Sequence, residues 1–139
     1  MAIFDDKVRQ QLKIILDTMK DDVRLLYFTQ ENECQVCGDT RKFVEEMGSL
    51  GGKLKVTIHD FIADGSLASQ FGIDMIPAIA LLDAAGKDRG IRFFGLPGGY
   101  EINSFMGAII ELSGRRDPLP EEVAKRVQAV SKDVHIQVF

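Results

Sequence analysis

The sequence predicts an α/β domain in which a four-stranded mixed sheet is flanked by helices, with an extra helix at the N-terminus. Three observations lead to this class. Helical and strand patterns alternate along most of the chain, the last two strands are joined by a short turn, and 139 residues of 45% hydrophobic composition suffice for one core. Helices between successive strands require parallel crossovers, whereas a short turn requires an antiparallel hairpin, so the sheet is expected to be mixed.

The individual elements follow the order α-β-α-β-α-β-β-α. Apolar residues at helical spacing predict helices over residues 4–19, 35–50, 65–71 and 100–112. Short apolar or alternating runs predict strands over residues 22–29, 53–61, 78–83 and 90–94. Gly51 and Gly52 follow the second helix and are expected to end it in a left-handed cap, because glycine tolerates that conformation.

The end of the chain predicts a separate segment. The domain is expected to occupy residues 1–115, and residues 116–139 to form a linker helix and the start of a second unit. Residues 133–139 match residues 22–28 in register at Asp, Val and Phe, and a helix precedes each segment. We interpret this match as an internal duplication. The alternative is an ordinary tail strand on a sheet edge, and a homodimer through this C-terminal strand is a further expectation.

Charge and hydropathy restrict the possible partners and compartment. The net charge is −4 and no run of Lys or Arg marks a basic face, so no nucleic-acid partner is expected. Charged and apolar residues alternate through the first twenty positions, and no apolar stretch has the length of a signal peptide or a membrane span. We therefore expect no membrane association and a cytoplasmic location, where thiols are kept reduced.

Cys34 and Cys37 are the only cysteines in the chain and lie at the predicted start of the second helix. Cysteines at this spacing are close enough for a disulfide, but the loop that they close is too short to add much stability. In a reducing compartment such a pair indicates redox catalysis or metal binding. Cys34 is the candidate attacking sulfur, because a helix N-terminus stabilises a thiolate, and Cys37 is the candidate resolving sulfur.

Metal binding is the alternative for the pair, because half a zinc site has the same spacing. Zinc needs four ligands, and here only His59 and His135 could join the cysteines. These histidines are far apart in the sequence, and a solvated or hydrogen-bonded strand histidine is the more ordinary interpretation of each. We therefore expect no metal or other cofactor.

A second pattern, Met75-Ile76-Pro77, stands directly before the third predicted strand. Proline at this place can simply mark the start of a strand. Alternatively, a cis Ile76–Pro77 bond would present the backbone of Ile76 to an extended substrate segment, which would pair with it as a short added strand.

The combination of strand, Cys-x-x-Cys, helix and Ile-Pro before a hairpin resembles the thioredoxin superfamily. Residues 92–101, together with the N-terminal helix, are similar to the first unit of the prokaryotic protein disulfide oxidoreductases. These glutaredoxin-like proteins contain two fused thioredoxin-fold units. The same residues resemble the N-terminal domain of the alkyl hydroperoxide reductase flavoprotein subunit. The resemblance covers about residues 5–130 and implies a thioredoxin fold.

The resemblance also implies a thiol–disulfide oxidoreductase that acts on disulfide-containing proteins. In this interpretation Cys34 attacks the substrate disulfide, Cys37 resolves the mixed disulfide, and Ile76 and a cis Pro77 shape the substrate groove. The implied electron donor is a flavoprotein reductase of the thioredoxin reductase type.

The chain departs from thioredoxin at two positions. Thioredoxins carry a buried acid on the strand before the cysteines, where this chain has Leu26-Tyr27-Phe28. They carry Trp before the first cysteine, where this chain has Glu33. Two alternatives therefore stay open. One is a docking domain with little catalysis of its own, and the other is a glutathione-dependent glutaredoxin, suggested by Gly98-Gly99 before the last helix.

Overall fold

The computed structural model describes residues 2–139, which form five helices and four strands. The helices are α1 (Asp6–Leu16), α2 (Cys37–Leu50), α3 (Gly65–Gln70), α4 (Glu101–Leu112) and α5 (Glu121–Gln128). The strands are β1 (Val23–Thr29), β2 (Leu54–Asp60), β3 (Ala78–Leu82) and β4 (Asp88–Phe94). Within residues 2–139, no helix has the length and apolar character needed to cross a bilayer. The predicted fold class is confirmed.

The four strands form one mixed sheet in the order β2-β1-β3-β4. β1 pairs with β2 in parallel and with β3 in antiparallel orientation, and β3 and β4 form the predicted antiparallel hairpin. The register places the last residue of β1, Thr29, opposite Asp60, and pairs Ala78 with both Phe28 and Phe94. At one end of the sheet, strands β1, β2 and β4 finish and β3 begins. We call this the Thr29 end of the sheet.

The central strand β1 divides the core into two clusters because its side chains alternate between the two faces of the sheet. Leu25 and Tyr27 pack in the larger cluster with apolar residues of α1, α2 and α4. Leu26 and Phe28 point to the other face and pack with residues around α3. Six of the seven β1 residues are buried, which confirms the prediction of a strand covered on both faces.

Gly51 ends α2 as predicted, but the left-handed cap was wrong. The residue has φ −126° and ψ 120°, which is extended backbone. A Cβ atom added there would lie 3.0 Å from Cβ of Leu16 on α1. Glycine fits here because α1 approaches the end of α2 closely, and a Cβ atom would require Leu16 to shift; the φ of Gly51 is not positive.

The end of the chain differs from the sequence expectation in one respect. The predicted helix is present as α5, but residues 133–139 form no strand within the part of the chain that the structure describes. A strand requires backbone hydrogen bonds to a neighbour, and neither edge strand of the sheet, β2 or β4, pairs with this segment. Its apolar side chains, Val134, Ile136, Val138 and Phe139, are consequently exposed.

Candidate redox site

Cys34 and Cys37 form a disulfide where β1 passes into α2, and their Cα atoms are 5.4 Å apart. Val36 is the N-cap of α2 and Cys37 is its first residue, so the helix begins two residues later than predicted. Cys37 is 2% exposed, whereas Cys34 is partly exposed. A sulfur atom of a second molecule therefore has access to Cys34, while Cys37 is shielded by the core.

Tyr27 ties the central strand to the start of α2. Its hydroxyl donates a hydrogen bond of 2.7 Å to the carbonyl oxygen of Cys37 and lies 3.2 Å from Oγ1 of Thr29. One turn further along α2, the buried Thr40 hydroxyl donates to the carbonyl oxygen of Val36 at 2.7 Å. Two buried hydroxyl groups thus hold the backbone on either side of the Val36–Cys37 bond.

The sequence pattern predicts Tyr27 only as part of an apolar strand and does not indicate this role. Burial is the largest influence on its phenol and raises the pKa of Tyr27 above its usual value. The hydroxyl therefore stays protonated, and able to donate, throughout the neutral range. The signal was present in the sequence, because a tyrosine in a strand buried on both faces needs a partner for its hydroxyl.

The Ile76–Pro77 peptide bond is cis. Pro77 is buried, Ile76 is partly exposed and Met75 is exposed. The carbonyl oxygen of Pro77 accepts a hydrogen bond of 2.9 Å from the backbone N–H of Gly95, just beyond β4. The structure therefore brings Ile76 and Pro77 to the Thr29 end of the sheet, the same end from which the chain leads to Cys34.

Arg92 on β4 fixes the segment that leads into the cis bond. Its Nε and Nη2 atoms donate to the carbonyl oxygen of Phe71 at 3.1 and 2.9 Å. Its Nη1 and Nη2 atoms also donate to the two carboxylate oxygens of Asp88 at 2.9 and 2.6 Å. Hydrogen bonds from Arg92 stabilise the Asp88 carboxylate more than burial destabilises it. The pKa of Asp88 therefore falls from 3.8 to about 2.

We expect Asp88→Asn to lower stability at neutral pH by about 1 kcal/mol. A fall in pKa from 3.8 to about 2 corresponds to a stabilisation of about 2 kcal/mol for an ion pair shielded from solvent. The Asp88 side chain is 33% exposed, so solvent weakens its pair with Arg92 and we expect the smaller value. The folded-state pKa is depressed, so the stabilisation is complete above the unfolded value of 3.8 and is lost as the pH falls towards about 2. Urea unfolding of the wild type and Asp88→Asn across this pH range measures the difference in stability. A stability difference between the two proteins that does not change with pH would contradict the assignment, and Asp117→Asn controls for charge.

The two histidines lie in surroundings that do not involve the cysteines. Nε2 of His59 lies 2.9 Å from Oγ1 of Thr57, and its ring stacks on Phe28. His135 is exposed near the end of the chain. Across residues 2–139, no three His, Cys, Asp or Glu side chains are grouped so that they could hold a metal ion, and the histidines therefore do not complete a ligand set with Cys34 and Cys37.

The chain matches no known protein-family model. Among curated proteins it is 23% identical over 137 residues to a protein named NADH dehydrogenase from Bacillus subtilis (strain 168), covering 99% of this chain and 24% of that protein. It thus spans about a quarter of the length of this relative. The activity, substrates and partners of that larger protein are not assigned to this chain by the match.

Two solved structures resemble the fold. The NTD_N/C domain of alkylhydroperoxide reductase AhpF from Enterococcus faecalis (V583) superposes with a TM-score of 0.82 and 30% identity, covering 93% of this chain and 62% of that one. A protein disulfide oxidoreductase from Aeropyrum pernix K1 gives a TM-score of 0.76 and 22% identity, covering 92% and 56% of the two chains.

These likenesses agree with the resemblance drawn from the residues. The second of them is informative about fold only, because its sequence identity is low. The mixed four-stranded sheet and the Cys34–Cys37 disulfide at the start of α2 are present as expected. The chain is a thioredoxin-fold unit with a Cys-x-x-Cys pair, and its structural neighbours include the AhpF N-terminal domain and a protein disulfide oxidoreductase.

Proposed function

We propose that this protein is a thiol–disulfide oxidoreductase that reduces or exchanges disulfides of other proteins through Cys34 and Cys37. The observation that carries the proposal is the unequal burial of two cysteines joined as a disulfide at the start of a helix. A short disulfide loop adds little stability, whereas one accessible and one shielded sulfur suit a bond that is repeatedly opened and closed.

In the reducing direction the reaction has two exchange steps. The thiolate of Cys34 attacks one sulfur of the substrate disulfide, a Cys34–substrate bond forms, and the other substrate sulfur leaves as a thiolate that takes up a proton. Cys37 then loses its proton and attacks Sγ of Cys34, which releases the second substrate sulfur as a thiol. The substrate gains two electrons and two protons, and the protein ends as the Cys34–Cys37 disulfide.

Tyr27 is a buried polar residue on β1, the strand on which thioredoxins carry a buried acid. Its neutral hydroxyl holds the carbonyl of Cys37 and so fixes the start of α2 relative to β1. Unlike a carboxylate, it places no negative charge beside the sulfur that must become a thiolate during resolution. In our proposal Ile76 and Pro77 form the side of the groove in which the backbone of an extended substrate lies.

Before it can act again, the Cys34–Cys37 disulfide must be reduced by an electron donor. One similar protein is an alkylhydroperoxide reductase and another is named NADH dehydrogenase, and we propose a flavoprotein reductase of the thioredoxin reductase type as the donor. Reduction by such a donor requires a compartment that keeps thiols reduced, and the cytoplasm is our prediction for it.

We further propose that residues 116–139 are a linker helix and the start of a second, similar unit, in which residues 133–139 correspond to β1. The match of residues 133–139 to β1 and the exposure of their apolar side chains support this. If the segment instead pairs with a second copy of this chain, removing residues 133–139 will halve the mass measured by light scattering. An unchanged mass would count against the homodimer.

Insulin reduction by a small dithiol tests the proposed activity and separates it from a docking role. The wild-type protein, Cys34→Ser and Cys37→Ser are compared at equal concentration. Catalysis by the wild type that is absent from both variants supports the proposal, and equal rates for the wild type and Cys34→Ser would refute it.

A further inference from the structure

Four loops at the Thr29 end of the sheet contain no Lys or Arg, and three of them contain carboxylates. All four lie within the described part of the chain, and they are residues 30–36, 61–64, 71–77 and 95–100. Their acidic residues are Glu31, Glu33, Asp64 and Asp74. A chain with 17 basic residues among 139 would ordinarily place some in loops of this combined length, so this end has a distinct charge.

The four loops form one surface around the disulfide. Cys34 lies in the first loop, and the second is joined to it by a 2.8 Å hydrogen bond from the backbone N–H of Phe61 to the carbonyl oxygen of Thr29. The third loop enters β3 where Ala78 pairs with Phe28, and the fourth is bonded to the third at Pro77. The carboxylates of the first three loops therefore lie at the same end of the sheet as the sulfur that reacts in the proposed mechanism.

Three of these carboxylates are uncompensated, and we call Glu31, Glu33 and Asp74 the acidic rim. All three are exposed, and none takes part in a salt bridge or side-chain hydrogen bond formed among residues 2–139. Such charges project an unneutralised negative potential into the solvent next to Cys34.

The first basic residues that follow the disulfide along the chain are already paired with carboxylates. Nε of Arg41 lies 2.9 Å from a carboxylate oxygen of Glu45, and Nζ of Lys42 lies 3.9 Å from one of Asp39. Arg92 is likewise bound to an aspartate, as described above. None of these cations offsets the charge of the acidic rim.

Apolar side chains are exposed in three of the same loops. Val36 lies between the two cysteines, Met75 precedes the cis bond, and Leu96 lies beyond β4; their exposed fractions are 49, 59 and 39%. A partner that covers this surface would bury apolar area and meet negative charge. The surface is thus complementary to a segment with an apolar residue beside the cysteine and basic residues flanking it.

We propose that the acidic rim makes the protein selective for disulfides flanked by Lys or Arg. This inference depends on the proposed function, because the rim is not itself a binding site but the surroundings of the reactive sulfur. Opposite charge increases the rate of productive encounter and like charge decreases it. Anionic disulfides, oxidised glutathione included, are expected to be poor substrates for the same reason.

The test uses three disulfide-bridged peptides that differ only in the residues flanking the cystine, which are Lys, Gln or Glu. Reduced protein is mixed with each peptide, the reaction is stopped with an alkylating agent, and protein disulfide is counted by mass spectrometry. We expect the Lys peptide to react at least about ten times faster than the Glu peptide at low ionic strength. The ratio should approach unity in 1 M salt, where the Debye length is about 3 Å.

The variant Glu31→Gln/Glu33→Gln/Asp74→Asn is expected to abolish most of this ratio. The matched control is Asp117→Asn/Glu121→Gln/Glu122→Gln, which removes the same charge beyond the far end of α4 and should keep the ratio. Ratios are compared because removing a carboxylate beside Cys34 also changes its reactivity towards every peptide.

The outcomes distinguish this inference from the proposed function. Equal rates for the Lys and Glu peptides, or a ratio that survives in the rim variant, would overturn the selectivity while leaving the exchange activity intact. Failure of the wild type to oxidise with any of the three peptides would instead overturn the proposed function, and the selectivity with it.

Discussion

Replacing Cys37 with serine is expected to trap a covalent complex between Cys34 and the substrate. The first exchange step needs only the accessible Cys34 sulfur, whereas release needs the shielded sulfur of Cys37, 2% exposed in the oxidised form. Without it the mixed disulfide persists until another thiol attacks it. After incubation with an oxidised protein substrate, non-reducing electrophoresis should show a new species with the summed mass, which disappears on addition of a dithiol.

Cys34→Ser is the matched control, because it differs from Cys37→Ser only in which sulfur is lost. We expect no covalent complex from it, since the remaining thiol is buried beneath the start of α2. Complex formation by Cys34→Ser but not by Cys37→Ser would reverse the proposed roles of the two cysteines.

Replacing Phe105 with alanine is expected to lower the free energy of unfolding by about 3–5 kcal/mol. Phe105 on α4 is fully buried and joins two parts of the larger core. Its ring lies 5.6 Å from that of Phe43 on α2 and 5.2 Å from that of Phe93 on β4, measured between centroids. Truncation would open a cavity between both helices and the sheet. Since domains of this size are stable by only about 5–15 kcal/mol, the urea midpoint should fall sharply.

Tyr100→Ala provides the comparison for this effect. It removes another aromatic side chain just before the same helix, but Tyr100 is fully exposed, and we expect a change within about 0.5 kcal/mol. A loss of less than about 1 kcal/mol for Phe105→Ala would contradict the packing described for this core.

Local sequence patterns were sufficient to predict the sheet and its helices. β1 could be recognised as a strand buried on both faces because its apolar run is uninterrupted except at Arg24, and the hairpin followed from a turn too short for a crossover. The close packing at Gly51 could not be predicted, because the space there is limited by Leu16, which lies on a helix distant in sequence. The absence of a strand at residues 133–139 could not be predicted for a similar reason. A strand forms only where a neighbouring strand pairs with it, and the segment alone does not determine this.

The site was predictable only in part, for a similar reason. The spacing of Cys34 and Cys37 and the proline before β3 are local signals, and the structure places both at the Thr29 end. Tyr27 and the acidic rim were missed because their roles arise from the register of β1 and from four loops that meet only in the folded chain. Glu33 could be recognised from the sequence as a departure from thioredoxin. Its position in the acidic rim could be recognised only in the folded chain.

In the proposed reaction Cys34 and Cys37 work together as a two-electron couple. The decisive measurement is a count of thiols after a single turnover of fully reduced protein with excess insulin, without added dithiol. We expect two protein thiols to disappear for every insulin disulfide that opens, and the recovered protein to carry the Cys34–Cys37 disulfide. Insulin that stays oxidised while the protein keeps both thiols would rule out this couple.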